Sequence, residues 1–221
     1  RNTIIMTTTK LYDQAFLTGC DTATEWMLPW FFENYKAYND SPLIFADFGV
    51  RDLDYVRDNV HAVINLTNIN ELGWFKKPKA MIYAPAKKTV WVDTDCQILG
   101  DLSPLFNMLK PGKLGMVEDK PWSKRRGGSW YNSGVVGFID KPNILYQWAK
   151  QIQENPDVGD QETLQAMLDP IGRLTYIEPL PNEYNWLRLQ IENDEQPAKN
   201  AKIIHWTGKK GKDRIRSMMD A

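Results

Sequence analysis

Asp93 and Asp95 stand two residues apart at the end of the apolar run Val90-Trp91-Val92. Strand alternation puts both carboxylates on one side of the chain if the extended form lasts that far. Two carboxylates so close repel each other, and together they make chemical sense around a divalent cation. Hard oxygen ligands suit Mg2+ or Mn2+, and such ions usually also take substrate phosphate oxygens. A bare Asp-X-Asp is equally what a turn cap beside a solvated acid looks like, so its context has to decide.

Four further segments follow in order. The first is Ile98-Leu99-Gly100-Asp101-Leu102-Ser103-Pro104-Leu105-Phe106, directly after the acid pair. Then come Tyr131-Asn132-Ser133-Gly134-Val135, Gly159-Asp160-Gln161-Glu162 and Ile203-Ile204-His205-Trp206-Thr207-Gly208. Each is weak alone, but in this order they resemble the retaining glycosyltransferases of the GT-A fold, especially family 8 and related nucleotide-diphospho-sugar transferases. The resemblance runs from Phe16 to Lys212.

That resemblance implies a role for each segment. Asp93, Asp95 and His205 would hold Mn2+ (or Mg2+), which neutralises charge on the leaving diphosphate as a Lewis acid. Thr18, Gly19, Cys20 and Asp21 occupy the place where relatives grip uracil and ribose, with Asp47 a weaker candidate. A basic residue near the donor falls at Lys76 or Lys77, and Thr94 lies between the two acids. Asp160 would accept hydrogen bonds from sugar hydroxyls while also capping a helix, and Gln161 would lie near the anomeric carbon. Asn132 and Ser133 fall in the acceptor-side turn. Lysines should meet the diphosphate, and the segment from Gly208 through Lys209, Lys210 and Lys212 reads as a flexible basic loop that closes over it. Gly211 stands where the family carries the Lys of a Lys-Pro-Trp sequence, a departure that leaves open which lysine acts. No Asp or Glu stands out as general base, which fits retention, with the leaving phosphate taking the acceptor proton. Lys120 to Trp130 reads as a mobile acceptor-side loop, and Trp186, closing Pro181 to Trp186, as a stacking wall for the acceptor. The expected activity is transfer of a hexose from a nucleotide sugar, UDP favoured, to a hydroxyl of a glycan or glycoprotein.

The elements that must position these residues alternate. Strands are expected at 15–20, 43–48, 62–66 and 88–93, with helices at 22–38 (capped by Thr22 or Thr24), 52–59 and 78–84 between them. Further strands are expected at 115–117, 130–139 and 201–206, and helices at 144–152 and 161–168. Alternation of this kind predicts an α/β domain with a mainly parallel mixed sheet flanked by helices. Ligands of such sheets sit beyond the carboxyl ends of the strands, where the acids fall. With no repeat or linker, residues 11–221 read as one domain after an extension at 1–10, in which Met6 is a candidate natural start. His61, just before a strand, reads as structural.

The bulk properties exclude some alternatives. With 27 Lys+Arg against 28 Asp+Glu the net charge is −1, so no bulk field draws the chain to nucleic acid or membrane, and anions need a local cluster. Cys20 and Cys96 lack partners at metal-ligand spacing and read as buried free thiols. No run of 18 apolar residues predicts a membrane span, and Arg1 to Met6 lacks the apolar core of a signal peptide. The expectation is therefore a cytoplasmic enzyme without membrane insertion, in a host cytoplasm if it belongs with the small capsid-glycan transferases of large algal viruses that it resembles in outline. The principal rival is a phosphohydrolase of the haloacid dehalogenase type with Asp93 as nucleophile. That motif wants Thr or Val where Gln97 stands, and sits on its domain's first strand. A nucleotidyltransferase would show a Gly-rich basic loop after the first strand, which Thr18 to Glu25 lacks. A non-catalytic carbohydrate-binding relative is disfavoured by the intact Asp93, Asp95 and His205.

Overall fold

The computed structural model describes residues 5–6, 10–70, 73–193 and 198–221, with the backbone alone at 5, 6 and 74. Along the chain run β1 (Ile5–Met6), β2 (Tyr12–Cys20), β3 (Leu43–Asp47), β4 (Ala62–Asn65), β5 (Ala86–Val92) and β6 (Cys96–Ile98). They are followed by β7 (Leu114–Glu118), β8 (Tyr131–Ile139), β9 (Ile177–Leu180), β10 (Trp186–Leu187) and β11 (Ile203–His205). The helices are α1 (Leu28–Tyr38), α2 (Leu53–Arg57), α3 (Lys77–Tyr83), α4 (Leu105–Met108) and α5 (Lys120–Arg126). The second half adds α6 (Asn143–Glu154), α7 (Asp160–Met167), α8 (Pro170–Tyr176), α9 (Arg188–Glu192) and α10 (Gly208–Met219). The rest of the expected N-terminal extension, residues 1–4 and 7–9, lies outside the described residues.

The main sheet has the order β1-β4-β3-β2-β5-β8-β7-β9, and a small one the order β10-β11-β6. Strands β4, β3, β2 and β5 run parallel, whereas β8 is antiparallel to β5. The parallel strands are buried on both faces, so their sequences read as continuous apolar runs rather than alternations. Successive residues serve opposite cores: Leu17, Ile44, Trp91 and Val136 face α3 and α6, while Phe16, Phe45, Val90 and Val135 face α1 and α4. Because β8 starts where β5 ends, with Val92 opposite Val135, Asn132-Ser133-Gly134, expected as a turn, are among the first residues of β8 and land beside Asp93.

The expected strands and helices are present, with shifted ends. The helix expected from Thr22 begins as a 3-10 turn at Glu25–Met27 with Thr24 at its N-cap position, where its backbone O accepts from Met27 N (3.1 Å) but its side chain makes no cap bond. Helix α1 then starts with Pro29 in its first turn, where a missing N–H costs nothing. Two segments expected as loops are helices. Asp119 Oδ1 accepts from Trp122 N (3.0 Å) and so caps α5 at Lys120, with Gly127 and Gly128, both at positive φ, ending it. The Gly208–Lys212 stretch is the first turn of α10, because Gly211 and Ile215, one helical turn apart, form a buried stripe against the core. A Cβ at Gly211 would lie 2.0 Å from Trp206 O, so only glycine lets this helix approach the chain that carries His205.

Gly211→Ala is therefore expected to destabilise the fold by about 1–3 kcal/mol. That corresponds to a midpoint lower by roughly 2–12 °C for a chain of this size. An unchanged midpoint in thermal unfolding would show that α10 does not depend on this contact.

Candidate active site

Asp93 and Asp95 leave the end of β5, and Asp93 N donates to Gly134 O (2.8 Å). The small sheet brings the histidine: β11 pairs with β6 so that His205 lies opposite Cys96, and Trp206 N donates to Asp95 O (3.0 Å). His205 Nε2 stands 3.0 Å from Asp95 Oδ1 and 3.8 Å from Asp93 Oδ2. All three residues thus converge from the two sheets.

The tautomer of His205 follows from its neighbours. Asn132 Oδ1 must be an oxygen, because Gly134 N–H donates to it (2.9 Å). His205 Nδ1 lies 3.1 Å from that oxygen and 3.1 Å from Asn185 Oδ1, so Nδ1 carries the hydrogen. Nε2 is left to face the carboxylates, either with a proton or with a lone pair for a cation. Without a cation, burial works against the charged imidazole, but the Asp95 carboxylate and its hydrogen bond outweigh it and raise the pKa. Gly134 is required here: a Cβ would sit 2.2 Å from His205 Cε1.

Lys77, at the first position of α3, is the second focus. Its ammonium lies 2.9 Å from Asp93 Oδ1 and 3.0 Å from Asp160 Oδ2, and donates to Ser133 O at 3.0 Å. Burial opposes its charge, but the Asp160 and Asp93 carboxylates win and hold it protonated. Asp160 Oδ2 also accepts from Ser133 Oγ (3.0 Å), and Trp91 Nε1 donates to Asp93 Oδ1 (2.6 Å). The acid pair is split: burial pushes Asp93 up despite Lys77, whereas at Asp95 His205 and Lys212 overcome burial and hold the carboxyl below its usual range.

A cavity of about 160 Å3 runs from Gly19, Cys20 and Asp21 at the end of β2 to Asp93, Thr94 and Asp95, with Lys77 and Lys212 on its wall. Most of the expected site residues therefore meet, and the rest do not. Thr18 is buried with no hydrogen-bond partner for Oγ1 and does not line the cavity. Lys76 donates to Phe48 O and Leu66 O and so ties loops together, leaving Lys77 as the basic residue at the acids. Lys212 reaches Asp95 Oδ2 (3.2 Å), one α10 turn past exposed Gly208, while Lys210 points to solvent. Gly19 is explained by packing as much as by any ligand, since a Cβ would lie 2.5 Å from Ala46 O. Asp47 caps the turn after β3 through Gly49 N and Val50 N, and His61 Nδ1 accepts from Leu43 N, both structural roles. Trp186 lies on β10, is half-buried and does not line the cavity.

Three participants were not singled out from sequence. Asp119 Oδ2 accepts from both Asn132 Nδ2 (3.2 Å) and Gln161 Nε2 (3.0 Å), and Asn132 Nδ2 donates to Gln161 Oε1 (3.1 Å). Asn185 and Trp91 orient His205 and Asp93. Only Trp91 had a signal, being two residues before Asp93 on one strand face.

Among the described residues, Asp95, Cys96 and His205 bring potential ligand atoms within 4.8 Å of one another. The Cys96 thiol is a poor ligand, because burial, with Asp95 and Asp93 beside it, holds it well above its usual pKa. Asp93 Oδ2 is the better third donor for a hard cation, so the oxygen and imidazole set fits Mn2+ or Mg2+.

The mixed sheet with its flanking helices is the GT-A fold of solved glycosyltransferases. The chain is similar to the apo form of the glycosyltransferase GlyE from Streptococcus pneumoniae TIGR4 (TM-score 0.68, 15% identity, 89% of this chain and 55% of that one). It is similar to an active-site mutant of LgtC (TM-score 0.62, 14% identity, 93% and 95%) and to the bifunctional glycosyltransferase WbbM (TM-score 0.58, 11% identity, 92% and 47%). The chain spans about half the length of GlyE and of WbbM. No protein-family profile and no curated protein matches the sequence.

Lys77→Met leaves Asp93 and Asp160 buried without their cation. The expected loss is about 3–5 kcal/mol of stability, the range for breaking a buried ion pair from one side. Chemical denaturation measures it, and a loss below about 1 kcal/mol would show that the carboxylates relax to solvent.

Proposed function

We propose that the chain is a metal-dependent glycosyltransferase that moves a hexose from a nucleotide diphosphate sugar, UDP-linked, to a hydroxyl of a glycan or glycoprotein, with retention. The observation that carries this reading is the cavity itself, which joins the Gly19–Asp21 end of β2 to Asp93 and Asp95, with His205 buried behind the two acids. Its two ends suit the base and the diphosphate of one extended ligand.

Asp93 Oδ2, Asp95 Oδ1 and His205 Nε2 would hold Mn2+ or Mg2+, which supplies Lewis-acid neutralisation of the diphosphate. Lys212, on the cavity wall, is the lysine placed to meet the phosphates; Lys210 is not. Asp160, fixed by Lys77 and Ser133, presents its remaining acceptor capacity to sugar hydroxyls. The Gln161 amide is oriented by Asp119 and Asn132, so it is a preorganised dipole rather than a proton carrier. Among the described residues of this cluster no carboxylate stands free to act as general base, in keeping with retention and proton transfer to the leaving phosphate. The phosphohydrolase reading fares worse: Asp93 Oδ1 is covered by Trp91 Nε1 and Lys77, which blunts it as a nucleophile.

The direct test is thermal unfolding with UDP, GDP, CDP and ADP, each with and without Mn2+. Ligand at a hundred times its dissociation constant adds about 2.7 kcal/mol. The midpoint should rise by roughly 5–11 °C for one nucleotide, UDP, and only with metal. No rise with any nucleotide, or a rise indifferent to metal, overturns the reading.

Asp95→Ala should remove the metal-dependent part. Asn185→Ala, which frees the imidazole from one of its two anchors, should weaken Mn2+ binding by about 10–100-fold, as loss of a ligand's supporting hydrogen bond does. Unchanged Mn2+ affinity in calorimetry would show that His205 is not a ligand.

A further inference from the structure

Helix α8 is unusual in burying none of its residues. Ile171 is 74% exposed and Leu174 78%, the two most exposed large apolar side chains among the described residues, and their i, i+3 spacing puts them on one face. Tyr176, 39% exposed, ends the same helix. A surface tip with adjacent Ile and Leu in water has no role in holding α8 to the fold.

The surroundings of this tip are basic. Leu174 shares an open groove of about 470 Å3 with Lys113, Arg173, Gly128 and Ser129. Gly128 directly follows the end of α5, whose last turn carries the exposed Lys124, Arg125 and Arg126. Arg126 Cζ lies over the rings of Trp122 (4.3 Å) and Trp130 (5.4 Å), so one cation is presented on an aromatic platform. Two cations, Lys113 and Arg173, thus line the groove and three more end the helix just before Gly128, against the exposed Asp169 that caps α8, on a chain whose net charge is −1. Of these, Lys113 has a carboxylate, Glu178, at 3.7 Å.

We propose that α8 and the end of α5 form a peripheral docking surface for an anionic phospholipid bilayer. Ile171 and Leu174 enter the interface while the arginines and lysines meet lipid phosphates. Apolar contact and a basic patch are the two signals that reversible membrane anchoring needs together. Tryptophan and arginine are at home at that depth. No helix among the described residues is long and apolar enough to cross a membrane, so the contact is with the surface of one leaflet. A second copy of the chain fits poorly. A twofold contact would set arginines against arginines, and the apolar part is far smaller than the ~800 Å2 per partner of a stable interface. The surface lies on the Gln161 side of the molecule, because Asp119, which caps α5, binds Gln161.

The test is co-sedimentation of the full chain with vesicles of phosphatidylcholine alone and of phosphatidylcholine mixed with phosphatidylglycerol. Binding is expected only to the anionic vesicles and should weaken as salt is raised. Ile171→Ser with Leu174→Ser, and separately Arg125→Gln with Arg126→Gln, should each lower binding about tenfold or more. All four side chains are exposed and none lines the nucleotide cavity, so the variants should stay folded and nucleotide binding should not change. Failure to bind anionic vesicles, equal binding to neutral ones, or undiminished binding of the folded variants overturns the proposal. A concentration-dependent dimer abolished by the Ile171/Leu174 change also overturns it, in favour of self-association. None of these outcomes bears on nucleotide binding, so the transferase reading stands or falls separately.

Discussion

A buried ammonium organises this molecule. Lys77 cannot keep its charge away from water unless carboxylates reach it, and the two that do come from distant parts of the chain: Asp93 from the end of β5 and Asp160 from the start of α7. Its third partner, Ser133 O, belongs to β8. Four elements are thus fixed relative to one another by one side chain at one end of the sheet. The arrangement is closed from behind, since Trp148 Nε1 on α6 donates to Asp160 O (2.9 Å) and α6 packs on α3, the helix that carries Lys77. Satisfying one buried cation requires all of these elements in register.

A second network joins the two sheets, and Asn132 is its hub. Its oxygen accepts from Gly134 N and Asn185 Nδ2 and faces His205 Nδ1, while its nitrogen donates to Asp119 and Gln161. One amide therefore sets the imidazole that faces the acids and the amide that would face the sugar. The glycine next to it is what makes the contact with His205 sterically allowed. Both networks centre on buried side chains, Lys77 in one and Asn132, Asn185 and His205 in the other, where each hydrogen bond orients its partner strongly and each missing one is costly. The catalytic reading thus rests on geometry held by backbone-pinned groups rather than by mobile side chains.

How far this was legible in the sequence depends on whether an interaction is local. The strands of the first half were readable because an apolar run bounded by turns is a local signal. The Asp93–Asp95 pair and His205 were readable because each sits at a strand end in a recognisable pattern. Helix α10 was misread because its Gly and Lys content suggests a loop, and only packing of Gly211 and Ile215 against Trp206 makes it a helix. Asp119 gave no signal at all; its value lies in being a helix cap whose other oxygen faces Gln161, which requires the register of β7 against β8. Asn185 fell within a stretch expected to present aromatic rings to an acceptor. The parallel pairing of β10 with β11 turns it toward His205 instead. The choice between Lys76 and Lys77 likewise needed the helix start, since the first position of α3 faces the acids and the residue before it faces the loops.

The charge balance of the cleft gives the proposed metal its physical reason. Lys77 is already engaged by Asp93 and Asp160, and Lys212 by Asp95, so neither can neutralise a diphosphate without abandoning a carboxylate. The chain as a whole is slightly acidic, and no long-range field helps to draw in an anion. Without a cation the His205 proton is likewise held by Asp95, so the imidazole too is committed to the acids. The proposed divalent cation between Asp93, Asp95 and His205 would resolve this: it would relieve the repulsion of the two acids and free Lys212 for the phosphates of a bound nucleotide. On the proposed reading the cleft would accept an anionic ligand only with its cation in place, and metal and nucleotide binding would depend on each other by linkage.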